Sequence, residues 1–262
     1  MSVSEEPKAP MTVLVEQVDG VQVVTIARPE VRNAINTATA QAIADAMDEL
    51  DARDDLVAGV IAGEGKSFCT GMDLKAFLAG EKPSIPGRGF AGVAETPPAK
   101  PLIAAVEGHA IAGGFEIVLA CDLVVASETA VFGLPEVKRG LLAGGGGLLR
   151  LPDRVPRALA VEWCLTGDFI SAQEAKDAGL INRLTPAGEA LDVALELAKR
   201  IAKNGPLAVR ATKEIITKAR DWSNDEQFAQ MWKIYEPVRS SDDAREGASA
   251  FKEKRAPVWK GR

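Results

Sequence analysis

The chain contains one histidine, His109, and three cysteines, Cys69, Cys121 and Cys164, in 262 residues. So little histidine, with no closely spaced cysteine pair, leaves no zinc site that the usual ligand spacings could assemble. It also leaves a Ser-His-Asp triad with a single candidate base, and that histidine lies in an apolar stretch, as a packed or positioning residue would. An odd number of widely spaced cysteines fits a reduced compartment better than a disulfide framework. No apolar run approaches the roughly 18 residues a membrane helix needs. The first residues, Met1 to Pro7, are acidic and polar rather than basic and then apolar, so no secretory signal is expected and a cytoplasmic location is. Net charge is −6. A concentrated basic face of the kind phosphate backbones or anionic membranes require is therefore not expected, and neither nucleic acid nor membrane is a predicted partner. The local exception is the C-terminus, where Lys252, Lys254, Arg255, Lys260 and Arg262 outnumber Glu253. It reads as a solvated helix end, or as a contact for an anion or a neighbouring subunit.

What remains is ordinary globular material, 47% apolar. Residues 11–18 and 21–27 read as two β-branched strands joined by Asp19-Gly20, a dipeptide suited to a tight hairpin turn. Asn36 is placed to cap a helix in which Ala40, Ile43, Ala44, Met47 and Leu50 recur at helical spacing. Short apolar strands are predicted at residues 57–62, 102–106 and 122–126, with helical patterns between them. That alternation implies parallel pairing and an α/β fold. The Pro- and Gly-rich residues 81–100 read as a mobile loop with at most a short helix. From Pro156 onward helices dominate: Ser171 with Glu174 forms a capping-box pattern, residues 187–203 are amphipathic, and three more helices are expected at 207–220, 224–239 and 242–255. A core over residues 1–200 and a helical C-terminal region over 201–262 follow.

Two nucleotide motifs fail. Gly65-Lys66-Ser67 resembles the end of a phosphate-binding loop, but the glycine required five positions earlier is Val60. The run Gly144 to Gly147 follows no strand at dinucleotide-binding spacing. It reads instead as a helix start, whose glycines allow close packing or a ligand's approach and whose N-terminus presents free N–H groups and a positive dipole end.

Glu116 and Glu136 each sit beside a glycine-bearing stretch: His109-Ala110-Ile111-Ala112-Gly113-Gly114-Phe115-Glu116 and Phe132-Gly133-Leu134-Pro135-Glu136. Glycines bring backbone amides close to a ligand, and carboxylates hold and move protons. That combination suits chemistry next to a carbonyl. A third segment, Phe68-Cys69-Thr70-Gly71-Met72-Asp73-Leu74, joins a predicted strand to a predicted helix. With Ala27-Arg28-Pro29-Glu30-Val31-Arg32-Asn33-Ala34-Ile35-Asn36, Ile103 to Gly108, Cys121-Asp122, Leu165-Thr166-Gly167 and the tail Phe251 to Pro257, these segments resemble the crotonase (enoyl-CoA hydratase/isomerase) superfamily over nearly the whole chain.

The resemblance implies a crotonase-like spiral of β-β-α turns, a helical C-terminal subdomain used in oligomer contacts, and a homotrimer or homohexamer. It implies an acyl-CoA thioester substrate, coenzyme A being part of the substrate and no separate cofactor being needed. The oxyanion donors would be the backbone N–H groups of Met72 and Gly113, and the catalytic carboxylates Glu116 and Glu136. Two carboxylates favour hydration of a 2-enoyl-CoA, with Glu136 supplying the α-proton and Glu116 activating water; the reverse division is the alternative. Arg28, Val31, Arg32, Lys66, Thr70 and Gly71 are the candidate CoA contacts. Phe115 and Leu134 depart from the hydratase pattern and bear on acyl specificity: Phe115 would narrow the pocket or pack into the core. Double-bond isomerisation, dehydration of a specialised hydroxyacyl-CoA such as carnitinyl-CoA, and a catalytically silent acyl-CoA-binding protein are the competing readings.

Overall fold

The computed structural model describes residues 11–262; the acidic first residues lie outside it. Strands β1 (Val13–Val18) and β2 (Val21–Ile26) form the expected antiparallel hairpin. Its turn needs two consecutive left-handed residues, and Asp19 (φ 50°) and Gly20 (φ 77°) supply them. A 3-10 turn at Pro29–Val31 leads to α1 (Thr37–Ala52). There the Asn36 side chain accepts the Thr39 N–H at 2.9 Å, and Ala40, Ile43, Ala44, Met47 and Leu50 are buried. Next come β3 (Ala58–Gly63), the one-turn helix α2 (Leu74–Leu78) and a miniature hairpin, β4 (Ser84–Ile85) with β5 (Gly89–Phe90).

Two similar turns of chain follow. The first runs β6 (Leu102–Val106), β7 (His109–Ile111), α3 (Gly113–Ala120). The second runs β8 (Leu123–Ser127), β9 (Val131–Gly133) and a 3-10 helix at Pro135–Arg139. In each, the first strand joins one sheet and the second strand joins another. Helices α4 (Gly147–Arg154) and α5 (Arg157–Thr166), strand β10 (Ile170–Ser171), α6 (Ala172–Asp177) and β11 (Arg183–Thr185) complete the sheets. The larger sheet has the order β1-β2-β3-β6-β8-β11 and is parallel from β2 onward; the smaller has the order β10-β9-β7. This is the α/β architecture the alternation predicts.

Four helices end the chain: α7 (Ala190–Ala202), α8 (Pro206–Lys218), α9 (Gln227–Arg239) and α10 (Asp242–Glu253). Helix α7 packs across the large sheet through Ala190, Ala194 and Ala198, small residues one turn apart that let backbone approach strand. Helix α8 is tied down by Lys213. Its ammonium reaches Asp122 Oδ2 at 2.6 Å and the carbonyls of Pro98 (2.8 Å) and Lys100 (3.0 Å), filling all three donors. Asp122 also accepts the Leu102 N–H at 2.8 Å, at the start of β6. Lys213→Met removes the cation and leaves a carboxylate and two carbonyls short of a partner. Chemical denaturation is expected to show a loss of about 2–3 kcal/mol; an unchanged midpoint would mean that water replaces the ammonium without cost.

Three local expectations need correction. Residues 81–100 are mostly loop as expected, but hold the miniature hairpin β4–β5 in place of a short helix and pack against the rest of the protein. Ala91, Gly92, Val93 and Ala94 are buried, and Arg88 pairs with Asp48 and donates to the Thr96 carbonyl. The prolines hid this because the hairpin is stabilised by contacts with α1 rather than by strand propensity. Strands β7, β9, β10 and β11, of two or three residues each, were too short for alternation to reveal. Helix α7 starts at Ala190, three residues later than periodicity suggests, because Gly188 is left-handed (φ 88°) and Glu107 Oε1 accepts the Gly188 and Ala190 N–H groups there, both at 3.1 Å.

Candidate active site

The site lies where the two turns of chain meet the segment after β3. Cys69 bridges to Ala110 in β7: its N–H donates to the His109 carbonyl at 3.0 Å, and its own carbonyl accepts the Ile111 N–H at 3.0 Å. Residues 70–72 therefore run alongside the start of α3. Gly71 (φ 93°) makes the approach, with Gly113 N and the Ala112 methyl each 3.1 Å from where a Cβ would stand. Ala112 is itself left-handed in φ (53°) with ψ −129°, a conformation costing about 1–3 kcal/mol for a residue with a side chain. Its N–H is held by the Gly133 carbonyl at 2.8 Å, and its own carbonyl accepts from Phe115 and Glu116. The strain sits one residue before Gly113 and turns that amide out of the strand. Neither the Met72 nor the Gly113 N–H has an acceptor among the described residues. Two adjoining segments thus present two unsatisfied donors.

Phe90, the last residue of β5, lays its ring against the Cα of Gly113. The loop reading of that stretch missed this residue, and nothing in its sequence context marks it.

Glu116 is one helical turn into α3 and 4% exposed. Its Oε1 accepts the Gly147 N–H at 2.9 Å, at the first residue of α4. Gly145 and Gly147 have no room for side chains, because the carboxylate fills the space; a Cβ on Gly145 would stand 2.6 Å from Oε2. The glycine run is thus a helix start with inward-facing amides, and what they bind is the protein's own glutamate. Burial pushes the Glu116 carboxyl up, against the pull of the Gly147 and Gly145 amides and the charge of Arg150.

Glu136 lies in the 3-10 helix after β9, where Pro135 fixes the first turn. Burial raises its proton affinity too, and the nearby Glu116 charge adds to the effect. Its Oε2 is buried with no hydrogen-bond partner. The structure therefore brings the two glutamates together, from successive turns of the chain. Both hold protons more tightly than ordinary carboxylates, and Glu136 is the one with an unpartnered oxygen. Burial pushes the Cys69 and Cys121 thiols up to about 12, which leaves them as packing groups rather than nucleophiles.

Of the two sequence departures, Phe115 is fully buried against Phe132, ring centroids 5.4 Å apart, and belongs to the core. Leu134 is also buried, 3.1 Å from a Cβ position on Gly147, so it walls the Glu116 cradle.

The other candidates divide. Arg28 is mostly buried; it pairs with Asp73 at 2.9 Å and donates to the Ala34 carbonyl. Its charge is thus already compensated inside the protein, which removes it as a free phosphate ligand. Val31, Arg32, Lys66 and Thr70 gather at one surface. The buried Asn33 side chain draws them together by donating to the carbonyls of Glu64 (2.9 Å) and Ser67 (2.7 Å), and Thr70 Oγ1 meets the Arg32 carbonyl at 3.4 Å. Val31, Arg32 and Lys66 are exposed beside the Gly71 turn. His109 contributes backbone to β7, and among the described residues its side chain makes no hydrogen bond.

The profile of the family described as enoyl-CoA hydratase/isomerase matches residues 16–262. The chain belongs to this family. Enoyl-CoA hydratase from Mycobacterium tuberculosis H37Rv is 56% identical and superposes with a TM-score of 0.94 over 96% of this chain and 99% of that one. Carnitinyl-CoA dehydratase from Salmonella typhi is 44% identical over 91% of this chain and 94% of its own length. Carnitinyl-CoA hydratase from Mycobacterium avium is also 44% identical, with a TM-score of 0.78 over 97% and 100% of the two chains. The fold is the crotonase fold that the motifs implied.

Proposed function

We propose that this enoyl-CoA hydratase/isomerase family member is a hydro-lyase that adds water reversibly across the 2,3 double bond of a 2-enoyl-CoA thioester. The observation that carries the reading is the pair of glutamates, Glu116 buried and Glu136 partly buried, both with raised proton affinity, beside two unsatisfied amide donors. The thioester oxygen would accept from Met72 and Gly113, so that charge moving onto it in the transition state meets preplaced N–H groups. Glu116, held by the amides at the start of α4, takes a proton from water as the water oxygen bonds to the β-carbon. Glu136, with no partner for its buried oxygen, carries the proton that forms the new C–H bond at the α-carbon. The C=C π bond, one water O–H and the Glu136 O–H break; the C–O bond, the C–H bond and a Glu116 O–H form, and return of the proton from Glu116 to Glu136 restores the starting state. The two acids titrate as a unit, so each apparent value belongs to the pair.

The CoA moiety would lie along Val31, Arg32, Lys66, Thr70 and the Gly71 turn, whose grouping at one surface supports that placement. Its phosphates would find exposed cations in Arg32 and Lys66. The helical region 201–262 would serve oligomer contacts in a homotrimer or homohexamer; Phe228, Trp232 and Phe251 are exposed apolar side chains on α9 and α10 that support this. The three free cysteines fit a cytoplasmic location.

A second reading, dehydration of a carnitinyl-CoA-like hydroxyacyl thioester, is favoured by the 44% identity to carnitinyl-CoA dehydratase. The same donors and acids would serve it in reverse. Turnover of crotonyl-CoA, carnitinyl-CoA and a 3-enoyl-CoA with product identification separates the readings. Loss of the conjugated enoyl absorbance from crotonyl-CoA with a 3-hydroxyacyl product is the expected result. A double-bond shift alone would make the protein an isomerase. A tight CoA complex with no turnover of any of the three would make it a binding protein.

A further inference from the structure

The proposed reading gives Glu116 and Glu136 opposite protonation states, yet burial acts on both in the same direction. Something must separate them. The Gly145 and Gly147 amides do part of this. The structure also places a cation behind them. Arg150 is half-buried one turn into α4, with its guanidinium packed over Gly146 so closely that a Cβ there would collide with Nη1. Gly145, the preceding residue, is packed as closely against Glu116 Oε2. Two adjacent glycines thus form a thin partition, with the carboxylate on one side and the guanidinium on the other. Side chains at 145 and 146 would thicken it.

The remaining charged groups on the elements packed against Glu116 are directed elsewhere or oppose the effect. Glu136, from the 3-10 helix, repels, and Arg139, exposed on that helix, favours the ionised form of Glu136 and so opposes the bias. Arg154, also on α4, donates to the Cys121 carbonyl at 2.8 Å. His109 lies on β7, where it contributes backbone hydrogen bonds. Arg220, which faces Arg150, is paired with Asp153. Among the described residues Arg150 makes no ion pair, so its charge is not neutralised by direct contact, and Glu116 is the carboxylate it acts on most strongly.

We propose that Arg150 is a positioning residue for the reaction: a fixed cation behind the glycine partition that biases the glutamate pair so that Glu116 is the ionised member and Glu136 the protonated one. It acts through Glu116 and touches no reacting atom. This inference rests on the hydration reading, and it accounts for why the division of labour between the acids runs in that direction rather than the reverse.

The test is the pH dependence of kcat/KM for crotonyl-CoA in wild type, Arg150→Met, Arg150→Gln and Arg150→Lys. Loss of the cation makes Glu116 easier to protonate, so in the Met and Gln variants the acid limb moves to higher pH. Turnover on that limb falls by roughly an order of magnitude, the scale of one partly screened charge interaction, while KM changes little. Lys restores much of the limb position. A purely structural role would lower activity without moving the limb; superimposable profiles in wild type and both neutral variants would overturn the proposal. A carboxyl titration of Glu116 by NMR, using carbon-labelled glutamate, reads the same shift without turnover. It separates the two ideas: a wild type inactive on enoyl-CoA sinks the hydration reading, whereas an unmoved Glu116 titration sinks the role of Arg150.

Discussion

Glu136→Gln is expected to lower hydration by roughly 10²–10⁴-fold, the range for loss of a positioned general acid, while raising the melting temperature. The two halves of this result have one cause. The folded protein holds the Glu136 proton more tightly than the unfolded chain does, because burial removes water from the carboxylate and the Glu116 charge lies close. A carboxyl raised in this way stabilises the fold fully below its unfolded value, and that stabilisation is lost as pH climbs through the raised, folded value. Above the unfolded value the wild type must therefore take up a proton at Glu136 in order to fold, which costs stability, and one carboxyl oxygen there has no partner. Glutamine occupies the same volume and carries no charge. Glu116→Gln is expected to lose activity on the same scale, since its amide oxygen can still accept from Gly147 but cannot take a proton from water. Steady-state hydration and thermal melts across pH check both halves. Near-normal turnover in both variants would remove the glutamates from the mechanism. A fall in the melting temperature of Glu136→Gln would show that the carboxylate has a stabilising partner.

Gly71→Ala is expected to cost roughly 10²–10³ in kcat, the effect of disabling an oxyanion donor, with a smaller loss of stability of about 1–2 kcal/mol from placing alanine at positive φ. The rate effect comes from crowding. The new methyl would meet Gly113 N and the Ala112 methyl at 3.1 Å and the Ile111 carbonyl at 3.3 Å. To relieve this, the segment carrying Met72 must move away from the start of α3, so the two donors no longer converge on one oxygen. Gly80→Ala is the control. Gly80 has nearly the same backbone angle (φ 90°) but nothing within 4 Å of the added carbon. It should show the stability loss without the loss of rate. Equal activities in the two variants would indicate that the Met72 and Gly113 amides do not act as a pair.

Local chemistry made much of the protein legible in advance. Asp19-Gly20 specified its hairpin because few other residues accept two left-handed positions in succession. Asn36 and the Ser171/Glu174 box closed their helices through bonds spanning three residues, which a sequence displays directly. Glycines and glutamates in the right segments suggested oxyanion chemistry, because a residue's type limits what it can donate, accept or ionise. Convergence was another matter. Glu116 and Glu136 are twenty positions apart, and only the stacking of two chain turns makes the charge of one felt by the other. The amides of Gly145 and Gly147 were visible as free donors, but their acceptor lies about thirty residues earlier and is found only by folding. Arg28 stood among the candidate CoA contacts, and only the fold brings Asp73 within 2.9 Å of its guanidinium. Phe90 and the short strands around it carry no periodic signal, since contacts from distant segments stabilise them. Residue identity fixed which chemistries were available; long-range packing chose which groups meet, how far water is excluded from them, and therefore which acid keeps its proton.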